Sequence, residues 1–300
     1  MEHYRSLNKY LRQKFGCKVY KLALDGGFTC PNRDGTLDTR GCIFCSGKGS
    51  GDFAAETVEE AKRFVSAKNR DGKYIAYFQN FTGTYAPIKR LETLYRHAIA
   101  HPDIVALSVA TRPDCLGDEV LALLAQLNRI KPVWVELGLQ TIHPQTAEYI
   151  RRGYALPVFD EAVRKLKGEG IEVIVHMILG LPGETDEMIY ETARYIGQSG
   201  ADGVKFQLLH VLEGTDLAAD YEAGEFEALS LEKYIELLEG CLRRIPPEMV
   251  VHRLTGDGAK RELIAPLWSG DKKRVLNTIN RAFNADGVVQ GELCGARTEK

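Results

Sequence analysis

VIVHMILGLPGETDEMIYETARYIGQSGADGVKFQLLHV, residues 173–211, reads as a strand, a bend, a helix and a second strand. Its ends, VIVHMILG (173–180) and GVKFQLLHV (203–211), are near-continuous apolar runs, the pattern of strands buried on both faces. Between them, DEMIYETARYIGQSG (186–200) has the helical spacing of apolar residues, and Pro182–Gly183 supply the bend. Two apolar strands joined through a helix make a unit whose strands run parallel.

The same unit recurs toward the N-terminus. VYKLAL (19–24), YIAYFQ (74–79), IVALSVAT (104–111) and VWVELGLQT (133–141) are strand-like and bounded by Gly, Pro or polar turns. Helix-like segments follow at 57–69, 87–100, 117–130 and 158–170, and another at 230–244 comes after the sixth strand. Six such units predict an α/β fold, a partial (β/α)6 TIM-like barrel of parallel strands with short terminal extensions. The expected divisions are a basic N-terminal helix (1–16), the barrel core (17–255) and a C-terminal extension closing the barrel (256–300). In such a barrel the chemistry collects at the C-terminal ends of the strands.

Composition narrows the classes. The 300 residues are 44% apolar, enough for a substantial core, and no run reaches eighteen uninterrupted apolar residues. No membrane association is expected, and the N-terminus lacks the apolar stretch of a secretion signal, so the expected location is cytoplasmic. The net charge of −2 announces no polyanionic partner by itself. Both ends are nevertheless basic: Arg5, Lys9, Arg12, Lys14, Lys18 and Lys21 at one, and Lys260, Arg261, Lys272, Lys273, Arg274 and Arg281 at the other. Each cluster is either a solvated helix face or a phosphate-contacting surface.

Three of the seven cysteines, Cys30, Cys42 and Cys45, fall in CPNRDGTLDTRGCIFC directly after the first strand, at the active face of a barrel. An iron–sulfur cube held by three cysteines keeps one iron open to an outside ligand. A zinc site with three ligands and a water is the competing account, and a CxxC redox pair is a third. The remaining cysteines, Cys17, Cys115, Cys241 and Cys294, form no second cluster, and only Cys115 is expected near the site.

CIFC with an expanded gap back to Cys30 resembles the cluster loop of the radical S-adenosylmethionine (SAM) enzymes, although their commonest spacing is CxxxCxxC. Within that superfamily the chain is similar to the radical SAM half of the Elongator catalytic subunit and to a shorter bacterial group lacking its acetyltransferase domain. ATRPDCL (110–116), ELGLQT (136–141) and HMILGLPGET (176–185) carry the resemblance further, in order and placement. It implies one [4Fe-4S] cluster on Cys30, Cys42 and Cys45, with SAM as the fourth ligand and source of a 5′-deoxyadenosyl radical. Phe44 resembles the aromatic residue packed on the SAM adenine. Ile178, Gly180 and Glu184 resemble the adenine-binding turn, with His176 where a glycine usually stands. Asn80-Phe81-Thr82 aligns with the family's GGE, so Asn80 and Thr82 become candidate contacts to the SAM amine.

Glu136 and Gln140 lie four apart in one strand and so share a face, with the ribose hydroxyls as candidate partners. Arg112, Asp114, Lys205 and Gln207 are candidate substrate residues, and His176 and His210 fit satisfied core histidines better than catalysts. The resemblance implies carbon chemistry on the C5 side chain of a tRNA wobble uridine, with an external electron donor such as flavodoxin or ferredoxin. With no acetyltransferase domain expected, acetyl transfer is not the expected reaction. A radical SAM reaction on a small metabolite, and a zinc-stabilised RNA-binding protein, are the rival readings.

Overall fold

The apolar runs become strands because β-branched and aromatic side chains fit a pleated surface buried on both faces. A computed structural model describes residues 2–47, 49, 54–65, 72–256 and 261–295. The strands are β1 (Val19–Leu24), β2 (Lys73–Phe78), β3 (Ile104–Thr111), β4 (Val133–Gln140), β5 (Glu172–Leu179), β6 (Gly203–Leu208), β7 (Val211–Leu212), β8 (Val250–Arg253) and β9 (Leu263–Ala265). The helices are α1 (Leu7–Phe15), α2 (Val58–Val65), α3 (Ile88–Ala100), α4 (Asp118–Asn128), α5 (Pro144–Tyr149), α6 (Leu156–Gly168), α7 (Asp186–Gln198), α8 (Asp216–Glu222), α9 (Leu231–Arg244) and α10 (Lys272–Ala285). Strands β1 to β6 and then β8 are hydrogen-bonded in that order, every neighbouring pair parallel. The result is an α/β half-barrel curled like part of a TIM barrel. Its edge strands, β1 and β8, are not paired with each other, which leaves a seam along one side.

Two details of the sequence reading change. Among the described residues the parallel sheet has seven strands rather than six, because β8 joins the free edge of β6. At four residues, VVHR, it is too short to give a periodic signal. The run 203–211 is also broken: β6 ends at Leu208, and Val211–Leu212 pairs antiparallel with β9. The helix expected over 57–69 is described as far as Val65, and its remainder lies outside the described residues.

Alternation along the strands sends side chains to two surfaces. Leu22, Ala76, Leu107, Val135, Val175 and Phe206 face outward into the main core under the helices. The inward side chains stack in layers. The lowest, Val19, Ile75, Ala106, Trp134 and Ile174, is an apolar floor completed by Leu11 of α1. The middle layer is polar, one residue from each of the first six strands: Lys21, Tyr77, Ser108, Glu136, His176 and Lys205. The upper layer includes Ala110, Gln140, Ile178 and Gln207, which surround the cavity described below.

α1 explains the floor. Ser6 caps it by accepting from the Lys9 N–H, and Gly16 ends it at φ +68°. It packs against both β1 and β8, and Ser6 bridges to Val251, so the N-terminal segment covers the lower end of the half-barrel beside the seam. Its basic residues therefore sit at the end opposite the cysteine loop. Lys14 pairs with Glu172 and Lys9 with Glu2.

The C-terminal extension adds no strand to the open sheet edge among the described residues. Instead β9 pairs with β7, and Gln290 accepts from the Arg5 N–H while donating to the Pro246 and Met249 carbonyls, tying the two ends of the chain together. Lys260 lies outside the described residues. Among the described residues, no helix is long and apolar enough to cross a membrane.

Candidate active site

The cysteine loop is held by its own insertion. After β1 the chain turns at Cys30, whose carbonyl accepts from the Arg33 and Asp34 N–H groups. Arg33 then reaches back over the CxxC pair and donates to the carbonyls of Cys45 (2.7 Å) and Ser46 (2.8 Å). Asn32, buried at 1% exposure, donates to the Arg151 carbonyl (2.7 Å) and, at 3.5 Å, to Cys42 Sγ. The eleven residues between Cys30 and Cys42 are thus a brace that packs the two halves of the loop together. Gly153 is part of that closeness: at φ +81°, a side chain there would press on Asn32 and Arg112.

Cys30, Cys42 and Cys45 are free thiols lining one cavity of about 170 Å³ inside the upper barrel. Burial pushes the Cys42 thiol up to about 12, so a metal that binds there displaces its proton. Phe44 and Ile178 belong to one apolar cluster on the cavity wall, where a flat ring can pack. Thr82 Oγ1, Gln140 Oε1 and the neighbouring Asn80 Oδ1 are buried side-chain oxygens with no hydrogen-bond partner within the protein. Buried polar atoms are normally paired, and Thr82 and Gln140 line the cavity, where a bound ligand would pair their oxygens. Phe81 and Gln140 both adopt positive φ, 52° and 68°, an unusual conformation for large side chains and one that clusters at functional sites.

Below this sits Glu136, fully buried. Lys21 and Ser108 reach its Oε1, while Lys205, Tyr77 and His176 reach its Oε2. Burial alone would raise its pKa, but the charges of Lys205 and Lys21 hold the carboxyl well below the usual range. Burial in turn pulls Lys21 and Lys205 down, against the attraction of Glu136. Burial lowers His176 to about 4, so it is neutral at pH 7. Arg112 is clamped by Asp114 through two bonds of 2.9 and 2.7 Å and lines the cavity beside Cys30 and Cys42.

The model of the radical SAM superfamily matches residues 39–196, and that of the Radical_SAM C-terminal domain matches residues 201–285. The chain belongs to the radical SAM superfamily. It is 47% identical over 299 residues to YtqA of Bacillus subtilis, covering 97% of this chain and 93% of YtqA. Over 156 residues it is 30% identical to a tRNA uridine(34) acetyltransferase of Methanocaldococcus jannaschii, 51% of this chain and 28% of that protein. Elp3 of Methanocaldococcus infernus, solved with residues 1–46 deleted, shares the fold at a TM-score of 0.69 and 19% identity, covering 91% of this chain and 64% of that one.

Radical SAM enzymes use a [4Fe-4S] cluster and SAM, and this site fits both. Three thiols face one cavity and the unpartnered oxygens and apolar wall stand beside them. Among the described residues, no three His, Cys, Asp or Glu side chains converge as they would around a single metal ion. A cube instead takes each thiolate on a separate iron.

The cavity gathers Cys30, Cys42, Phe44, Cys45, Thr82, Arg112, Glu136, Gln140, Ile178, Lys205 and Gln207. It does not gather Asn80, Asp114, Gly180 or Glu184. Glu184 accepts instead from the Thr141 hydroxyl, linking the β4 end to the turn before α7. Glu136 shares the cavity face with Gln140 as its spacing implied, but five protein donors already occupy it, so it is an organiser of the barrel interior rather than an open ribose acceptor. Sequence reasoning missed Arg33, Tyr77, Arg152 and Tyr154 in the lining. It also missed Lys21, although a lysine in the middle of VYKLAL was a visible signal.

Proposed function

We propose that this radical SAM enzyme modifies the C5 side chain of a tRNA wobble uridine, working in the cytoplasm with a low-potential donor such as flavodoxin or ferredoxin. The observation that carries the reading is the 30% identity, over half of the chain, to a tRNA uridine(34) acetyltransferase. Cys30, Cys42 and Cys45 hold the cluster, braced by Asn32 and Arg33. Phe44 and Ile178 offer the apolar surface for adenine, and the unpartnered oxygens of Thr82 and Gln140, which line the cavity, accept from the ammonium and hydroxyl groups of SAM. When bound, the two groups supply a 5′-deoxyadenosyl radical that takes a hydrogen atom from the substrate. Glu136 fixes the polar side chains beneath, above the apolar floor that includes Trp134 and Leu11.

The test is to incubate cluster-loaded, reduced protein with SAM and bulk tRNA, then measure wobble uridine mass by nucleoside mass spectrometry. A mass change confined to the wobble uridine supports the reading. Unchanged tRNA under conditions in which a cell metabolite stimulates SAM cleavage replaces it with the small-molecule reading.

A further inference from the structure

The seam between β1 and β8 opens into a second cavity of about 670 Å³, large enough for a nucleotide-sized ligand. It shares Tyr77, Gln79, Lys205 and Arg253 with the cavity under the cysteine loop, so those side chains are the boundary between the two. Its charge is one-sided. Lys18, Lys21, Lys205, Arg253 and Lys272 line it, and among the described residues no Asp or Glu does. Arg253 and Lys272 have further contacts of their own. Lys21 and Lys205 both bind the same carboxylate, that of Glu136, from its two oxygens.

Two ammonium groups on one buried carboxylate leave a positive excess, and burying unbalanced charge is costly. The other donors on Glu136, Tyr77 and Ser108 hydroxyls and the neutral His176 ring, add no negative charge. Burial pulls both lysines down, and Lys21 pulls Lys205 down further, so an arriving anion would let both keep their protons.

We propose that the seam cavity binds a terminal anionic group of the substrate, a carboxylate or a phosphate monoester, held by Lys21 and Lys205. The terminal position follows from depth. The side chains of Lys21 and Lys205 are only 16% and 4% exposed, so a backbone phosphodiester, substituted on both sides, does not reach them. The inference deepens the reading above in taking the occupant as part of the substrate. It places the anion one layer beneath the cofactor cavity and orients what is attached to it upward, toward the cysteine loop.

The experiment titrates cluster-loaded protein with inorganic phosphate and, separately, with acetate at constant ionic strength, following heat of binding and thermal unfolding. Wild type is expected to bind at least one of them saturably. Phosphate alone identifies a phosphate monoester subsite, and acetate alone a carboxylate subsite. Lys21→Met and Lys205→Met each leave one lysine on Glu136, so both fold with unfolding temperatures at or above wild type. Each weakens the anion by about tenfold or more, the loss of a charged hydrogen bond. Lys9→Met, at the floor, binds as wild type does. Saturable binding unchanged in both cavity variants, or none in wild type, overturns the proposal. No tRNA enters this assay: anion binding with unmodified tRNA sinks only the tRNA reading, and modified tRNA without anion binding sinks only this one.

Discussion

Replacing Glu136 with Gln keeps the shape of the side chain and removes the charge shared by Lys21 and Lys205. Both amines are then buried without their carboxylate. Breaking a buried pair in this way costs about 3–5 kcal/mol. A lysine can escape by losing its proton, which from an ordinary pKa near 10.4 costs about 4.6 kcal/mol at pH 7, so the escape route sets a similar ceiling. The expected loss, about 3–5 kcal/mol, is a large part of the roughly 5–15 kcal/mol that holds a typical domain together. Its sign with pH is diagnostic. In the variant the folded state carries neutral lysines and the unfolded state charged ones, so the unfolded state binds more protons and stability rises with pH until about 10.4. The deficit against wild type should therefore shrink between pH 7 and 9.5. Urea unfolding followed by circular dichroism at several pH values measures it. A loss under about 1 kcal/mol, or a deficit that widens as pH rises, would refute the account of this layer.

Acid should act through the same layer. With a pKa of about 4 in the folded protein against 6.5 when exposed, His176 contributes stability that is present above pH 6.5 and lost as pH falls toward 4. The loss is at most about 3.4 kcal/mol, and His176→Gln should flatten urea midpoints across that window; an unchanged slope would exclude His176 as the cause. At the floor, Leu11 is 3% exposed against Trp134. Leu11→Ala should cost about 2–5 kcal/mol with no change in iron content, and a loss of cluster instead would mean that the floor and the cysteine loop are coupled.

What the sequence made legible follows from the physics of each feature. Parallel strands buried on both faces write themselves as apolar runs, so β1 to β5 were readable. β8 was not, since four residues ending in His252 and Arg253 have no period to detect. The cysteines were legible through spacing, Thr82 through its alignment with the family's GGE after β2, and Gln140 through the face of β4 it shares with Glu136. The role of Glu136 was not, because its partners come from five other strands, and only the curl of the sheet brings Lys21 near Lys205. Nor did the turn before α7 reveal that Glu184 points to Thr141: a carboxylate beside a helix N-terminus looks the same whether it serves a ligand or a turn.

The central claim is that three cysteines hold a cluster whose open iron takes SAM. Its most direct test is to reconstitute the protein anaerobically with iron and sulfide, reduce it, and measure iron together with 5′-deoxyadenosine formed from SAM. The account predicts about four irons per chain, cleavage of SAM, and loss of both in Cys42→Ala. A protein that loads one zinc in place of iron, or carries the full cluster yet neither binds nor cleaves SAM, would contradict it.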